Sequence, residues 1–206
     1  MRRFRWMSVL VAVAMLAPTS VLAGKKQCLS AMDTHLTLGT AYLNEGACEA
    51  ALSEFLLAEG GCRAAARDPE IQHRIGLAYF CNESLQEAEG RLKRSVELSK
   101  TPTGATLVNL SALYIAQERW AEAEQTAELA LTDPTYLEAS RARHNIAYAA
   151  MKQGKLEVAE ARWQEVLKAN PEFCPAWQGL SEAAAARNDP DAAGSYSETA
   201  ATCREP

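Results

Sequence analysis

The residues of this chain best equipped to make or break bonds are six cysteines: Cys28, Cys48, Cys62, Cys81, Cys174 and Cys203. Thiols at such positions do redox work as Cys-x-x-Cys pairs, hold zinc at short spacings beside histidine, or form structural disulfides. No Cys-x-x-Cys occurs, and His35, His73 and His144 stand 38 and 71 residues apart with no cysteine at finger spacing. A metal site and a cofactor are therefore not expected. No Ser, Cys or Asp accompanies His73 or His144 at a catalytic spacing, and there is neither a nucleophile elbow nor a Gly-rich phosphate loop. The chain is expected not to be an enzyme, its scattered Asp and Glu reading as solvated helix faces. What remains for an even set of cysteines is disulfide chemistry in an oxidising compartment.

The N-terminus points to such a compartment. Arg2, Arg3 and Arg5 form a basic start, the apolar run Trp6 to Leu16 follows, Pro18 breaks it, and Val21-Leu22-Ala23 offers a cleavage site after Ala23. Residues 1–23 read as a signal peptide and residues 24–206 as the mature domain, periplasmic or secreted. The alternative, a retained anchor, runs against an apolar stretch shorter than the roughly 20 residues a spanning helix needs. Removing the three arginines takes the formal charge from −5 to −8. So acidic a chain, without a Lys/Arg stripe, lacks the footprint for nucleic acid. Membrane association is expected only through a partner.

The elements that must position the cysteines come from an internal repeat. From His35 the chain reads Leu38-Gly39, Tyr42, Gly46, Ala51, Phe55 and Ala58. The spacing recurs as Ile75-Gly76, Tyr79, Ala88, Leu92; as Leu110-Ser111, Tyr114, Ala123, Ala127, Ala130; and as Ile146-Ala147, Gly154, Ala159, Trp163, Pro171. A fifth unit keeps Trp177, Leu180-Ser181, Ala192-Ala193 and Tyr196. The steps between Gly39, Gly76, Ser111, Ala147 and Ser181 are 37, 35, 36 and 34 residues. This is the tetratricopeptide pattern: helix pairs whose small residues at positions 8 and 20 allow close crossing, with larger ones at 7, 11 and 24 filling the gaps. The expected fold is all-α, a right-handed superhelical solenoid of five helix-turn-helix repeats at about 32–65, 69–102, 104–137, 140–173 and 174–206. Asp68-Pro69 and Asp189-Pro190 supply N-cap and first-turn proline, and no period-2 strand pattern is found.

In such arrays the first helix of each pair lines the concave groove. Carrying over the lining positions gives Leu36, Thr40, Leu43 and Asn44; His73, Leu77 and Phe80; Val108, Ala112 and Ile115; Arg141, His144, Tyr148, Met151 and Lys152. The groove is mostly apolar and suits an amphipathic or extended apolar segment of a protein partner. The alternative is that a terminal element of the chain covers it. Leu36 and Thr40 replace the Lys and Asn with which chaperone-tail adaptors hold a terminal carboxylate, which disfavours that partner. Asn109 and Asn145, both at position 6, could offer a donor and an acceptor to a bound backbone, or could serve the solenoid itself.

The run Ala127-Glu128-Leu129-Ala130-Leu131-Thr132-Asp133-Pro134-Thr135-Tyr136, followed by the segment Ala142 to Ala147, resembles the tetratricopeptide proteins of type IV pilus biogenesis. Those pilotin-like proteins help an outer-membrane secretin localise and assemble. The resemblance implies a non-catalytic, periplasmic or outer-membrane protein-binding role, with a secretin subunit as the partner; the alternative is a general scaffold for another cell-envelope complex. Family members carry a lipidated cysteine directly after the signal cut. Here Gly24 stands in that place, so a lipid anchor is not expected.

The repeat geometry also selects among cysteine pairings. Cys174 begins the first helix of unit five and Cys203 ends its second, so an antiparallel hairpin brings them together. Cys28 and Cys62 flank unit one in the same way. Cys48 and Cys81 are left at the turn-side end of adjacent helices, and are expected to pair.

Overall fold

The computed structural model describes residues 18–61 and 64–203, with side chains from Cys28 onward. Among the described residues ten α-helices run in five antiparallel pairs: α1 Pro18–Asn44 with α2 Cys48–Gly61, α3 Pro69–Cys81 with α4 Leu85–Leu98, α5 Gly104–Ala116 with α6 Trp120–Ala130, α7 Ala139–Lys152 with α8 Leu156–Ala169, and α9 Cys174–Ala186 with α10 Pro190–Thr202. No strand occurs among the described residues. A 3-10 turn, Ala65–Arg67, follows the first pair. The signal-peptide reading falls mainly on residues outside the described ones, and α1 runs on through Ala23.

Local chemistry starts the helices where the chain leaves a turn. The Asp68 carboxylate accepts from the amides of Glu70 and Ile71, Thr103 from Thr106, and Asp189 from Ala192, each satisfying donors that a helix N-terminus leaves unpaired. Within each pair the reversal is made by one residue in the left-handed region: Gly46, Glu83, Glu118, Gly154 and Asn188, with φ of 73°, 59°, 58°, 79° and 60°. All five occupy position 15 of their repeat. Glycine takes this conformation freely, whereas Glu83 and Glu118 carry the Cβ penalty.

The crossings are as tight as the small residues allow. A Cβ on Gly39 would lie 2.5 Å from the Phe55 ring, and one on Gly76 2.8 Å from Leu92. Where position 8 is serine the hydroxyl is used: Ser111 donates to the Ala123 carbonyl and Ser181 to that of Ala193, both at 2.8 Å. Between pairs, larger side chains fill the gaps. Trp163 packs with Leu180 and Ala147, Leu92 with Leu110 and Tyr114, and Phe55 with Ile71 and Ile75. Each repeat thus buries its apolar face on its neighbour, giving a continuous core.

Two expected disulfides are present. Cys48–Cys81 ties the start of α2 to the end of α3, and Cys174–Cys203 closes the last hairpin, each with Cα atoms 5.6 Å apart. The expected Cys28–Cys62 pair lies outside the described residues, because Cys62 does.

Candidate functional site: the inner face

Odd-numbered helices touch one another along the array, α1 on α3, α3 on α5, α5 on α7 and α7 on α9, and so form its inner face. Leu36, Thr40, Leu43, Leu77, Phe80, Asn109, Ala112, Ile115, His144 and Tyr148 are half-buried on these helices. They make a partly accessible, mainly apolar stripe. At its first end a cavity of about 450 Å³ is lined by Leu36, Thr37, Thr40, Ala41, Asn44, Glu70 and Arg74. Its polar wall is preset: Arg74 bonds Glu70 at 2.6 Å and donates to the Thr40 hydroxyl at 2.6 Å. At the other end Tyr148 stands against Trp120, ring centroids 6.4 Å apart, with the Lys152 ammonium 5.0 Å from its centroid.

Several groove residues expected from the repeat positions do not face a ligand. Val108 is buried with Leu107, Ala130 and Ala142, packed between α5, α6 and α7. Met151 is likewise taken into the core with Trp163 and Val166. Asn145 is buried, its amide donating to the Val108 carbonyl at 3.2 Å and to Ser111 Oγ at 3.3 Å, so it joins two inner helices. His73 is buried too, and its Nε2 accepts from the Asn109 amide at 2.9 Å. Asn109 also accepts from Arg141 at 3.4 Å and stays half-buried. These polar groups link successive repeats across the inner face.

His144 has a similar internal duty. Its Nδ1 accepts the Trp163 indole N–H at 3.1 Å, amid Tyr148, Trp163 and Phe173. Burial pushes its pKa down to about 4, so the ring is neutral and the acceptor nitrogen available. Among the described residues there is no cluster of three His, Cys, Asp or Glu side chains placed to hold a metal, and no helix long and apolar enough to cross a membrane.

A polar ladder that the repeat motif does not announce joins the repeats at their turn ends. Glu89 on α4 accepts from Gln117 at 3.0 Å and pairs with Arg119 at 2.7 Å in the α5–α6 turn. Glu124 on α6 meets Gln153 at 2.9 Å and Lys155 at 3.2 Å, and Glu160 on α8 meets Arg187 at 2.9 Å. In each case a glutamate at position 21 is held by the residue at position 14 of the next repeat, joined for Glu89 and Glu124 by a cation at position 16. Burial alone would raise the Glu89 pKa, but the bonds from Arg119, Lys93 and Gln117 outweigh it and hold the carboxyl at about 2. The regular spacing of Glu89, Glu124 and Glu160 is visible in the sequence once the repeats are aligned.

This architecture is that of a tetratricopeptide solenoid. Among solved structures it is similar to the PilF protein of Pseudomonas aeruginosa, 18% identical, with a TM-score of 0.73 over 87% of this chain and 79% of that one. PilW, described as a widely conserved type IV pilus biogenesis factor, is 20% identical with a TM-score of 0.74, covering 82% and 76%. YrrB, described as a TPR protein with an unusual peptide-binding site, is 15% identical with a TM-score of 0.60, covering 82% and 84%. At these identities the likeness concerns the fold. No protein-family model and no curated protein sequence matches the chain.

Proposed function

We propose that the chain is an exported, non-catalytic binding module whose inner face takes an apolar or amphipathic segment of an envelope protein, and that this partner is a secretin subunit of a type IV pilus. The observation that carries the binding role is the stripe Leu36, Leu77, Phe80, Ala112, Ile115 and Tyr148, kept partly accessible on four successive inner helices. Such a stripe, held on a rigid core, offers helix-in-groove recognition at little ordering cost. The disulfides favour an oxidising compartment, and the similarity to PilF and PilW favours a pilus context.

Two changes on the accessible stripe, Leu77→Asp with Ile115→Asp, are expected to abolish co-purification of the secretin from solubilised envelopes. The melting temperature should stay within about 4 °C, since half-exposed sites contribute little to the core. Undiminished capture by this variant would defeat the inner-face reading. Recovery of a different envelope protein, lost in the variant, would leave the groove standing and remove the secretin.

A further inference from the structure

The first repeat presents outward a surface that every later repeat buries. Position 7 is occupied by Ile75, Leu110, Ile146 and Leu180, which are 0%, 5%, 3% and 2% exposed; in the first repeat Leu38 is 43% exposed. Tyr114, at position 11, is 5% exposed and its counterpart Tyr42 is 36%. The cause is geometric. In later repeats these side chains pack on the second helix of the preceding pair, as Leu110 and Tyr114 do on Ala88 and Leu92. No helix precedes α1 among the described residues.

The opposite end of the array is finished differently. Helix α10 has no fully buried side chain and exposes Asp191, Ser195, Ser197 and Glu198, the polar outer surface expected of a terminal repeat. The first repeat has an apolar docking surface where a polar one would serve solubility.

Charge states what that surface accepts. In the third, fourth and fifth repeats the turn presents Gln, Arg or Lys to a glutamate on the preceding helix. In the first repeat the same turn position holds Glu45, exposed, with Glu49 in the first turn of α2. The polarity of the clamp is inverted. A helix bearing a glutamate at the matching place would be repelled, and so would the acidic α10 of a second copy in a chain of formal charge −5.

We infer that the open end of the first repeat docks an amphipathic helix of another protein, one that places an apolar stripe on Leu38 and Tyr42 and a lysine or arginine against Glu45. This site is separate from the inner face and does not depend on it.

Two synthetic peptides test the idea against the oxidised protein purified from envelope extracts. One copies α4, Leu85–Leu98, the helix that covers the equivalent surface of the third repeat; the other is the same peptide with Glu89→Lys. The Lys peptide is expected to bind at least about fivefold more tightly than the Glu peptide, and Leu38→Asp to abolish binding. Glu45→Lys in the protein should reverse the preference. Both substitutions fall on exposed positions, so an unchanged circular dichroism melt accompanies them. Absence of Lys-peptide binding, equal affinity for both peptides, or binding that survives Leu38→Asp would overturn the inference. A concentration-dependent dimer lost in Leu38→Asp would also overturn it, by making a second copy the occupant.

Discussion

The first junction of the array and the three that follow it join similar helices by different chemistry. From the second repeat onward, a glutamate on one pair is held by cations and amides of the next, and inner asparagines bridge the helices. At the first junction position 21 is Leu52 and the facing turn offers Asn82 and Ser84; Cys48–Cys81 spans that end covalently, while Glu59 bonds Arg91 and Gln72 at the other. A buried polar contact stabilises only while its groups hold the right protonation state. A disulfide is indifferent to moderate acid but yields to reductant. Acid is therefore expected to loosen the later repeats first, and reduction the first repeat.

The same position gives the largest contrast. Leu110→Asp buries a charge in the core between α4 and α5 and is expected to cost more than about 5 kcal/mol, whereas Leu38→Asp costs under about 1. Parallel urea unfolding of the two variants checks this, and similar losses would show that the outer end of repeat one is covered after all.

Next in size is the covalent tie. Replacing Cys48 and Cys81 by serine releases a bridge across a separation of 33 residues and should cost about 4 kcal/mol, concentrated in α1 and α2. Hydrogen exchange followed by mass spectrometry would show it as faster exchange of those helices with α7 to α10 unchanged. Uniform acceleration would make the array one cooperative unit.

The pH effect is somewhat smaller. His144 has a folded pKa of about 4, below its ordinary 6.5, so the folded state excludes a proton that the unfolded chain takes up. Its contribution is fully present above pH 6.5 and is lost as pH falls toward 4, amounting to about 3 kcal/mol. His144→Gln keeps an acceptor for Trp163 and should flatten the stability profile across that window. Below it, Glu89 begins to matter: its contribution is present above pH 4.5 and disappears as pH approaches 2.

The smallest effect concerns the turns. Glu118→Gly relieves a left-handed residue and is expected to stabilise by about 0.5–1 kcal/mol, the steric relief exceeding the entropy added to the unfolded chain. Gly154→Glu should lose a similar amount. Thermal melts of the two variants, moving in opposite directions, would check both.

By itself the sequence determined the helix pairs, their order and the cysteine partners in the first and last described bridges. Small residues every 34 to 37 positions, proline after an N-cap, and apolar side chains at fixed offsets are local statements, and stacking repeats leaves them few ways to be satisfied. Tertiary structure decided which side chains at nominal groove positions remain accessible. Val108 and Met151 share their template positions with accessible residues, yet Val108 packs with Ala130 and Ala142 and Met151 with Trp163 and Val166, contacts with neighbouring helices that the template alone does not specify. It also decided that Asn145, His73 and His144 satisfy the solenoid: a polar group's partner lies about 35 residues away in the next repeat, or across the hairpin, and only the packed array says whether that partner or a ligand is nearer.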